Sequence, residues 1–288
     1  MRNKLYVIDI SNWIHRSFHV HKDLTTSKGM PSGAIFGTLT MLSKFISDNQ
    51  PSYLAICYDA QDGQSVRRDI YPEYKTNRVH VNAVSSQEII IRRIIELLGI
   101  YSIAASGYEA DDLIATVTDK FKDEFDVVIL TGDKDMLQLI DEHVSVYDSM
   151  KNITYNENTA LEKFGVKPSK ISDYLALVGD KVDNIPGVMG IGPKAAQDLL
   201  SKCASVDEII YRIASISTKY QDKLIAGMDN LIMSKRLTDL IRLDIDISKK
   251  DIELCPRYSD ELDNILTKLE FSTNTKDRVR RAIKLYDY

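Results

Sequence analysis

Acidic residues stand directly after three short apolar runs that the sequence predicts as buried strands. Because the carboxyl ends of parallel strands meet at one edge of a sheet, where ligands bind, these acids are expected to line a single negatively charged concavity. The runs and the acids that follow them are Leu5–Ile8 with Asp9, Tyr53–Tyr58 with Asp59, and Val127–Leu130 with Asp133 and Asp135 of a Thr-Gly-Asp-Lys-Asp segment.

Two further segments add acids to this set. One is Gly-Tyr-Glu-Ala-Asp-Asp at 107–112, which ends at the start of an apolar helix; Glu109 and Asp112 are three residues apart and can share one helix face. The other is the turn-rich segment 179–184, which carries Asp180 and Asp183. Any one of these acids alone is more simply explained as a helix cap or a turn residue.

Convergence of several acids changes this interpretation. Clustered carboxylates repel one another strongly in a low dielectric, so such a site needs cations. Oxygen ligands without nearby histidine favour magnesium or manganese over zinc. His15 and His19, four residues apart on a predicted helix, would suit zinc, but packed or solvated histidines are the favoured interpretation.

The elements that must position these acids alternate between strands and helices up to about residue 165. Such alternation predicts an α/β domain with a mostly parallel central sheet flanked by helices. Helical segments dominate thereafter, so we expect an α/β domain at 1–165 and a helical region at 166–288. The weaker strands are Tyr101–Ala104 and Val144–Tyr147, and the clearest helices are Ala34–Ser47, Ser86–Leu98, Ala110–Lys122, Pro168–Val178, Pro193–Ser201 and Val206–Ile213.

Composition and the absence of certain motifs argue against several classes of protein. The three cysteines are odd in number and far apart, which indicates a reducing compartment; no stretch has the length of a signal peptide or a membrane span. The net charge of −5 does not exclude nucleic acid. If the eight acids named above and Asp111 are gathered in one metal site, the formal charge of the rest is −5 + 9 = +4. We find no Walker phosphate loop and no Asp-x-Asp after the first strand, which argues against a nucleotide switch and an aspartyl phosphatase.

From about Leu5 to about Asp246 the sequence resembles the 5′-nuclease domain of bacterial DNA polymerase I and the free-standing bacterial and bacteriophage 5′–3′ exonucleases of the flap endonuclease superfamily. The motifs at 107–112, 131–135 and 179–184, with the segment 185–192 that follows, carry the resemblance. It implies that 1–165 is a catalytic domain with a PIN-like sheet and that 166–288 is a DNA-binding region containing a helix–hairpin–helix (H3TH). All the acidic metal-ligand positions of the family are filled: Asp9, Asp59, Glu109, Asp111, Asp112, Asp133, Asp135, Asp180 and Asp183.

The resemblance implies hydrolysis of DNA phosphodiester bonds with two Mg²⁺ ions, for which Mn²⁺ can substitute. One ion would activate a water and the other would stabilise the leaving 3′ oxygen, with the ions roughly 3.5–4 Å apart. One ion is expected mainly at Asp9, Asp59, Glu109 and Asp111, and the other mainly at Asp133, Asp135, Asp180 and Asp183.

Basic and aromatic residues after the Asp59 strand match family positions in or beneath a helical arch, expected near 75–90. Lys75 and Arg78 would contact the scissile phosphate, and Tyr74 would stack on the terminal base. Arg67 and Arg16 match DNA-contact positions. The alternative is a solvated, charged helix start. One extra residue before Arg67 and a Val-His-Val-Asn segment at 79–82, where relatives are proline-rich, predict an arch of different shape.

The segment 187–196 resembles the hairpin of a helix–hairpin–helix motif. Gly190 and Gly192 would permit the turn, and Pro193 suits the first position of the next helix. Gly187, Gly190, Gly192 and Lys194 are expected to contact a DNA phosphate without reading sequence. Related hairpins bind K⁺ through backbone carbonyls, so the resemblance also allows K⁺ here. An ordinary Gly-Pro turn is the alternative.

The expected function is a structure-specific 5′–3′ exonuclease and 5′-flap endonuclease acting in replication and repair, on flaps or RNA primers. The expected partners are DNA with 5′ ends, flaps, nicks or branches, RNA–DNA primer junctions and a polymerase in trans. The protein is expected to be a monomer without membrane contact, in the cytoplasm of a bacterium or a phage-infected host. A non-catalytic DNA-binding relative would have lost some acids, and a small RNA-cleaving relative would not ordinarily need the glycine-rich hairpin.

Overall fold

A six-stranded sheet forms the centre of the protein. The structure is a computed structural model that describes residues 2–77 and 82–286. The strand order is β3-β2-β1-β4-β5-β6, parallel throughout except for the antiparallel pair β5–β6. The predicted, mostly parallel α/β sheet is therefore confirmed. The strands are β1 (Lys4–Asp9), β2 (Tyr53–Cys57), β3 (Ser102–Ile103), β4 (Asp126–Leu130), β5 (Val144–Asp148) and β6 (Ile153–Tyr155).

Helices cover both faces of the sheet, as expected for parallel strands whose faces are both apolar. Leu5 and Val7 of β1 face the core that contains α5, whereas Ile8 faces a second core formed with α1, α2 and α4. The segment after β4 forms a short 3-10 helix, Lys134–Leu139. The helices of this part are α1 (Ile10–Val20), α2 (Gly33–Asn49), α3 (Val66–Ile70), α4 (Asn82–Leu97) and α5 (Ala110–Phe121).

The chain after the sheet is helical, as predicted. Within it α7 packs against α8 and α11, and together with α9 and α10 these helices bury their apolar faces in the same core as α5. These helices are α6 (Glu157–Phe164), α7 (Ile171–Val178), α8 (Pro193–Lys202), α9 (Val206–Tyr211), α10 (Thr218–Ala226), α11 (Met228–Thr238), α12 (Asp260–Lys268) and α13 (Thr273–Lys284).

The last two helices do not belong to this helical bundle. α13 packs on α2 and α12 on α4, and Leu262, Leu266 and Ile283 join the core on the far side of the sheet. The apolar stripes of α12 and α13 are therefore buried against the sheet domain, although both helices lie within the predicted region 166–288, which stays a prediction. The boundary near residue 165 stays a prediction.

The structure also describes the three cysteines and the length and apolar character of the helices. Cys57, Cys203 and Cys255 are all free thiols, as predicted from their spacing. In the part of the chain that the structure describes, no helix combines the length and apolar character needed to cross a bilayer.

Candidate active site at the carboxyl edge of the sheet

Asp9 and Asp59 lie side by side at the ends of β1 and β2. Asp9 is only 5% exposed; its Oδ1 accepts the Asn12 N–H at 3.0 Å and its Oδ2 accepts the Thr131 hydroxyl at 2.7 Å. The Oδ1 of Asp59 accepts the N–H of Ala110 at 2.8 Å. Both carboxylates thus accept a hydrogen bond from the N–H of a residue in the first turn of a helix, which agrees with the cap interpretation. Their role as metal ligands stays a prediction.

The segment after β4 brings two more acids to this edge. The Thr131 hydroxyl that binds Asp9 also accepts the Asp133 N–H at 3.0 Å, and the Oδ1 of Asp133 accepts the Asp135 N–H at 2.8 Å. The Oδ1 of Asp135 is buried and has no hydrogen-bond partner among the described residues. A buried carboxylate oxygen without a donor is a suitable ligand for a cation.

These acids influence one another electrostatically. Burial raises the pKa of Asp9 to about 7, opposed by the hydrogen bonds that it accepts and reinforced by the charges of Asp59 and Asp133. Burial also raises the pKa of Asp135 to about 7, with Asp133 adding to the effect. The pKa of Asp111 lies well above its ordinary value because of burial and then of Asp133. A divalent cation would relieve this repulsion.

Two lysines neutralise the remaining acids. Lys75 Nζ lies 2.9 Å from Glu109 Oε1 and 3.8 Å from Asp183 Oδ2, and Lys134 Nζ lies 2.5 Å from Asp180 Oδ2. Against the effect of burial, Lys75 holds the pKa of Glu109 below its ordinary value, and Lys134 does the same for the pKa of Asp180.

The nine predicted ligands therefore do not form one ready-made cage. In residues 2–77 and 82–286, no three acidic, histidine or cysteine side chains are arranged closely enough to enclose an ion. Repulsion among unneutralised carboxylates and the lysine pairs of Glu109 and Asp180 explain this spacing. The donor set at the edge nonetheless consists of carboxylate oxygens, which fits a hard cation such as Mg²⁺.

Asp112 and Arg67 form a buried ion pair with each other. Asp112 is fully buried, and both of its oxygens accept from the Arg67 guanidinium at 2.7 Å. Arg67 is 3% exposed and also donates to the carbonyls of Leu237 and Asp239 at 3.0 and 3.1 Å. Each group therefore has its hydrogen-bonding capacity taken up by the protein in this structure. Asp112 as a metal ligand and Arg67 as a DNA contact stay predictions.

Tyr74 is also buried. It is 3% exposed, its hydroxyl donates to Glu109 Oε2 at 3.0 Å, and it packs with Ile185 and Leu237. In this structure neither face of the ring is open to a base, and the stacking role of Tyr74 stays a prediction. The ring can be buried because Glu109 accepts the hydrogen bond of its hydroxyl, so the polar group is satisfied inside the protein.

The other predicted basic contacts stay predictions. Arg16 is half-buried and donates to the Ser149 hydroxyl at 3.2 Å. Arg78 lies outside the described residues, as do residues 79–81, so the structure describes the predicted arch near 75–90 at residues 75–77 and again from Asn82 onward, as α4.

The glycines of the hairpin divide into three cases. Gly187 has a φ of +63°, and a Cβ there would lie 2.4 Å from the backbone N of Gly179; its own N–H donates to Ser234 Oγ at 3.1 Å. It therefore faces the protein here, and its role as a DNA contact stays a prediction. Gly190 has a φ of +82°, so this position needs glycine, as predicted.

Gly192 does not need glycine for its backbone conformation. Its φ of −96° is accessible to any residue, and an added Cβ would meet no described atom within 4 Å. The prediction that a Cβ would block the turn at Gly192 is wrong. The absence of a side chain at Gly192 leaves the outer surface of the hairpin open. Lys194 is exposed, and Pro193 begins α8 as predicted.

Three contacts at the site were missed by sequence reasoning. Lys134 and Thr131 lie within the 131–135 motif, so their proximity to the acids was a signal available in the sequence. Arg92 of α4 donates to the Asp59 carbonyl at 2.7 Å, with its guanidinium 3.9 Å from the ring centre of Tyr58. No sequence spacing indicates this contact, because it depends on how α4 packs beside β2.

Comparison with known proteins shows that two family descriptions match successive regions of the chain. The family description "5′-3′ exonuclease, N-terminal resolvase-like domain" matches residues 4–165, and "5′-3′ exonuclease, C-terminal SAM fold" matches residues 166–261. The chain is 38% identical to a 5′-3′ exonuclease of Aquifex aeolicus (strain VF5) over 276 residues, which cover 95% of this chain and 94% of that protein. It is 36% identical to DNA polymerase I of Caldicellulosiruptor bescii over 95% of this chain, but spans only 33% of that polymerase.

A solved structure shares the fold. The flap endonuclease of bacteriophage T5, in a pseudo-enzyme–product complex with DNA and metal ions, superposes with a TM-score of 0.69 at 19% identity, covering 99% of this chain and 100% of that one. Both family regions are matched in order, and a relative is matched along nearly its whole length. The chain therefore belongs to the 5′–3′ exonuclease family, as its motifs predict.

Proposed function

We propose that this 5′–3′ exonuclease hydrolyses DNA phosphodiester bonds at or near 5′ ends, including those of flaps and nicks, with two Mg²⁺ ions. The observation that carries the proposal is the convergence of Asp9, Asp59, Asp111, Asp133 and Asp135 on one sheet edge, where burial and mutual repulsion raise the pKa of three of them. A site with this charge has a strong electrostatic demand for divalent cations.

Five carboxylates would hold the ions directly, and three more would become ligands once the lysines paired with them move away. Asp9, Asp59, Asp111, Asp133 and Asp135 have carboxylate oxygens at the edge, and Glu109, Asp180 and Asp183 follow when Lys75 and Lys134 release them. When bound, the ions supply charge neutralisation and Lewis-acid activation for the attacking water and the leaving oxygen. The protein holds Asp9 and Asp59 in fixed orientations through Thr131, Asn12 and Ala110, so little reorganisation is needed.

Lys75 is proposed to act on the scissile phosphate. Its ammonium is neutralised by Glu109 in the structure, so binding of metal and of an anionic phosphate would transfer the lysine from carboxylate to substrate. Arg78 is proposed as a second phosphate contact on the family resemblance alone. Arg16, Gly190, Gly192 and Lys194 remain proposed contacts to the DNA backbone.

The hairpin has a built-in positive charge. Lys223 Nζ donates to the Gly190 carbonyl at 3.1 Å. A K⁺ ion at the hairpin would need backbone carbonyls free of such a donor, so K⁺ binding there requires Lys223 to move. We retain K⁺ as a proposal on these terms, testable by comparing duplex affinity in KCl and in a tetramethylammonium salt at equal ionic strength.

The proposed setting is replication and repair in the cytoplasm of a bacterial cell, with removal of flaps or RNA primers. Support comes from the bacterial relatives, of which one class joins this region to DNA polymerase I. A polymerase acting in trans and a monomeric state are parts of the same proposal.

The test is cleavage of 5′-labelled flap, nicked and blunt duplexes with Mg²⁺ or with chelator. We expect Mg²⁺-dependent release from the 5′ side, lost in Asp133→Asn and kept in Asp123→Asn, an exposed acid at the opposite edge of the sheet. Lys75→Ala should lower turnover far more than duplex affinity. Duplex binding without cleavage in the unmodified protein would contradict the proposal and indicate a structural DNA-binding protein.

A further inference from the structure

Two segments that are far apart in the sequence are joined by three hydrogen bonds beside the site. The Lys75 N–H donates to the Asp183 carbonyl at 3.1 Å, and the Asn77 side-chain amide donates to the Lys181 carbonyl at 3.0 Å. In the opposite direction, the Asn184 amide donates to the Glu73 carbonyl at 2.8 Å. We call this set, formed by residues 73–77 and 181–184, the clasp.

The loop side of the clasp is anchored and leads directly into the hairpin. Asp180 and Ile185 exchange both backbone hydrogen bonds, at 2.9 and 2.7 Å, which closes the loop between them. The chain then continues into the hairpin, where the Val188 N–H donates to the Leu177 carbonyl at 2.9 Å and the Gly187 N–H to Ser234. The start of the hairpin is therefore fixed to α7 and α11, and the closed loop 180–185 connects α7 to it within a few residues.

The other side of the clasp holds Lys75 in an uncommon conformation. Lys75 has a φ of +55°, which a residue with a long side chain rarely adopts unless its surroundings over-determine it. Asn184 has a φ of +58°, a conformation that asparagine tolerates well. Side-chain packing adds to the hydrogen bonds, because Tyr74 lies against Ile185.

We propose that Asn77 and Asn184 are positioning residues that fix the backbone of Lys75 to the loop 180–185. Lys75 and the hairpin then move as one unit, so that seating a duplex on the hairpin sets the position of the Lys75 ammonium at the site. This inference rests on the proposed role of Lys75 in cleavage. The clasp uses backbone carbonyls as its acceptors, so it depends on the amide groups of the two asparagines and tolerates many residues opposite them.

Asn184→Gly removes the amide donor while keeping a residue that accepts positive φ. The chain offers a matched control in Asn152, which has a φ of +53°, lies in the β5–β6 turn and makes one side-chain hydrogen bond, accepting from the Tyr147 hydroxyl at 3.0 Å. Asn152→Gly therefore removes one hydrogen bond and the same side chain at a remote turn. Asn77→Ala gives an independent variant, because Asn77 is exposed and has no helix to disturb.

The first readout is amide hydrogen exchange of the metal-free full-length protein. We expect exchange at Lys75 to be about tenfold faster in Asn184→Gly and in Asn77→Ala, and unchanged in Asn152→Gly. Unchanged exchange at Lys75 in both clasp variants would overturn the proposal.

The second readout is a double-mutant cycle on cleavage. Asn184→Gly should lower turnover about tenfold in the unmodified protein and have almost no further effect in Lys75→Ala, with duplex affinity nearly constant. Equal losses in the two backgrounds would assign Asn184 a merely structural role and overturn the proposal. If Lys75→Ala left turnover intact, the proposed role of Lys75 in cleavage would be wrong. Faster exchange in the clasp variants would still show that the clasp holds the backbone of residues 73–77 to the loop.

Discussion

The acids at the sheet edge and the acids paired with basic residues are in opposite electrostatic states. Asp9, Asp111 and Asp135 have a raised pKa because burial and their neighbours oppose their charge. Asp112 and Asp180, by contrast, have a guanidinium or an ammonium within 2.7 Å. The protein thus neutralises Asp112 with Arg67 and Asp180 with Lys134, and leaves the carboxylates of the sheet edge to be neutralised from outside.

The neighbours Asp111 and Asp112 show this contrast most directly. They occupy successive positions at the start of α5, yet one faces the acidic edge and the other faces Arg67 and the end of α11. Successive residues of a helix point about 100° apart, so the helix start divides the two roles. The contrast can be tested by removing one charge at a time.

The largest expected effect is on cleavage in Asp111→Asn. Loss of one carboxylate at the edge should remove several kcal/mol of transition-state stabilisation, or at least about 10²-fold in turnover. The metal-free protein should become more resistant to heat, because a buried repulsive charge is gone. Turnover and the metal-free melting temperature are measured together. A large loss of stability would place Asp111 among the structural acids.

The next effect is on stability in Asp112→Asn. Removing one partner of a buried ion pair leaves the Arg67 charge uncompensated, so the free energy of unfolding should fall by about 3–5 kcal/mol. Denaturant unfolding measures this change. Asp48→Asn, which breaks the exposed pair of Lys44 with Asp48, should change it by less than about 1 kcal/mol. A similarly small change in Asp112→Asn would remove the distinction between the two groups of acids.

The smallest expected effect is on the pH dependence of the metal-free protein. The pKa of Asp9 and of Asp135 is raised from 3.8 to about 7, so between these values the folded chain holds protons that the unfolded chain has released. The free energy of unfolding should therefore decrease as pH rises through this window, by at least about 1 kcal/mol from about pH 5 to about pH 7.5.

The same titration with saturating Mg²⁺ should show a much weaker decrease, because the ions compensate the charges that form. Glu109 and Asp180 do not change with pH in this window, because the pKa of each is lowered. The stability that their ionised forms contribute is fully present above their ordinary pKa and is lost only at lower pH. Rising stability across the window without metal would contradict the raised pKa values.

Local sequence patterns account for the sheet and for much of its acidic edge. The apolar runs before Asp9, Asp59 and Asp133 predict strands within one or two residues of those observed, because buried parallel strands are continuous apolar runs. The three-residue strand β6 was not predicted, since it is short, mostly exposed and without alternation. Nor did the pattern indicate that α12 and α13 return to the sheet domain, because an amphipathic stripe does not specify which surface it covers.

Residue type and spacing determined that acids would gather at the ends of parallel strands, since chain direction and the pleat of the sheet are local properties. The partner of each charge was decided by the tertiary structure. Arg67 with Asp112, Tyr74 with Glu109, and the clasp between 73–77 and 181–184 all join residues at least 35 positions apart. A motif records which groups are present, but whether a buried guanidinium meets a phosphate or a carboxylate depends on which surfaces the folded chain brings within hydrogen-bonding distance.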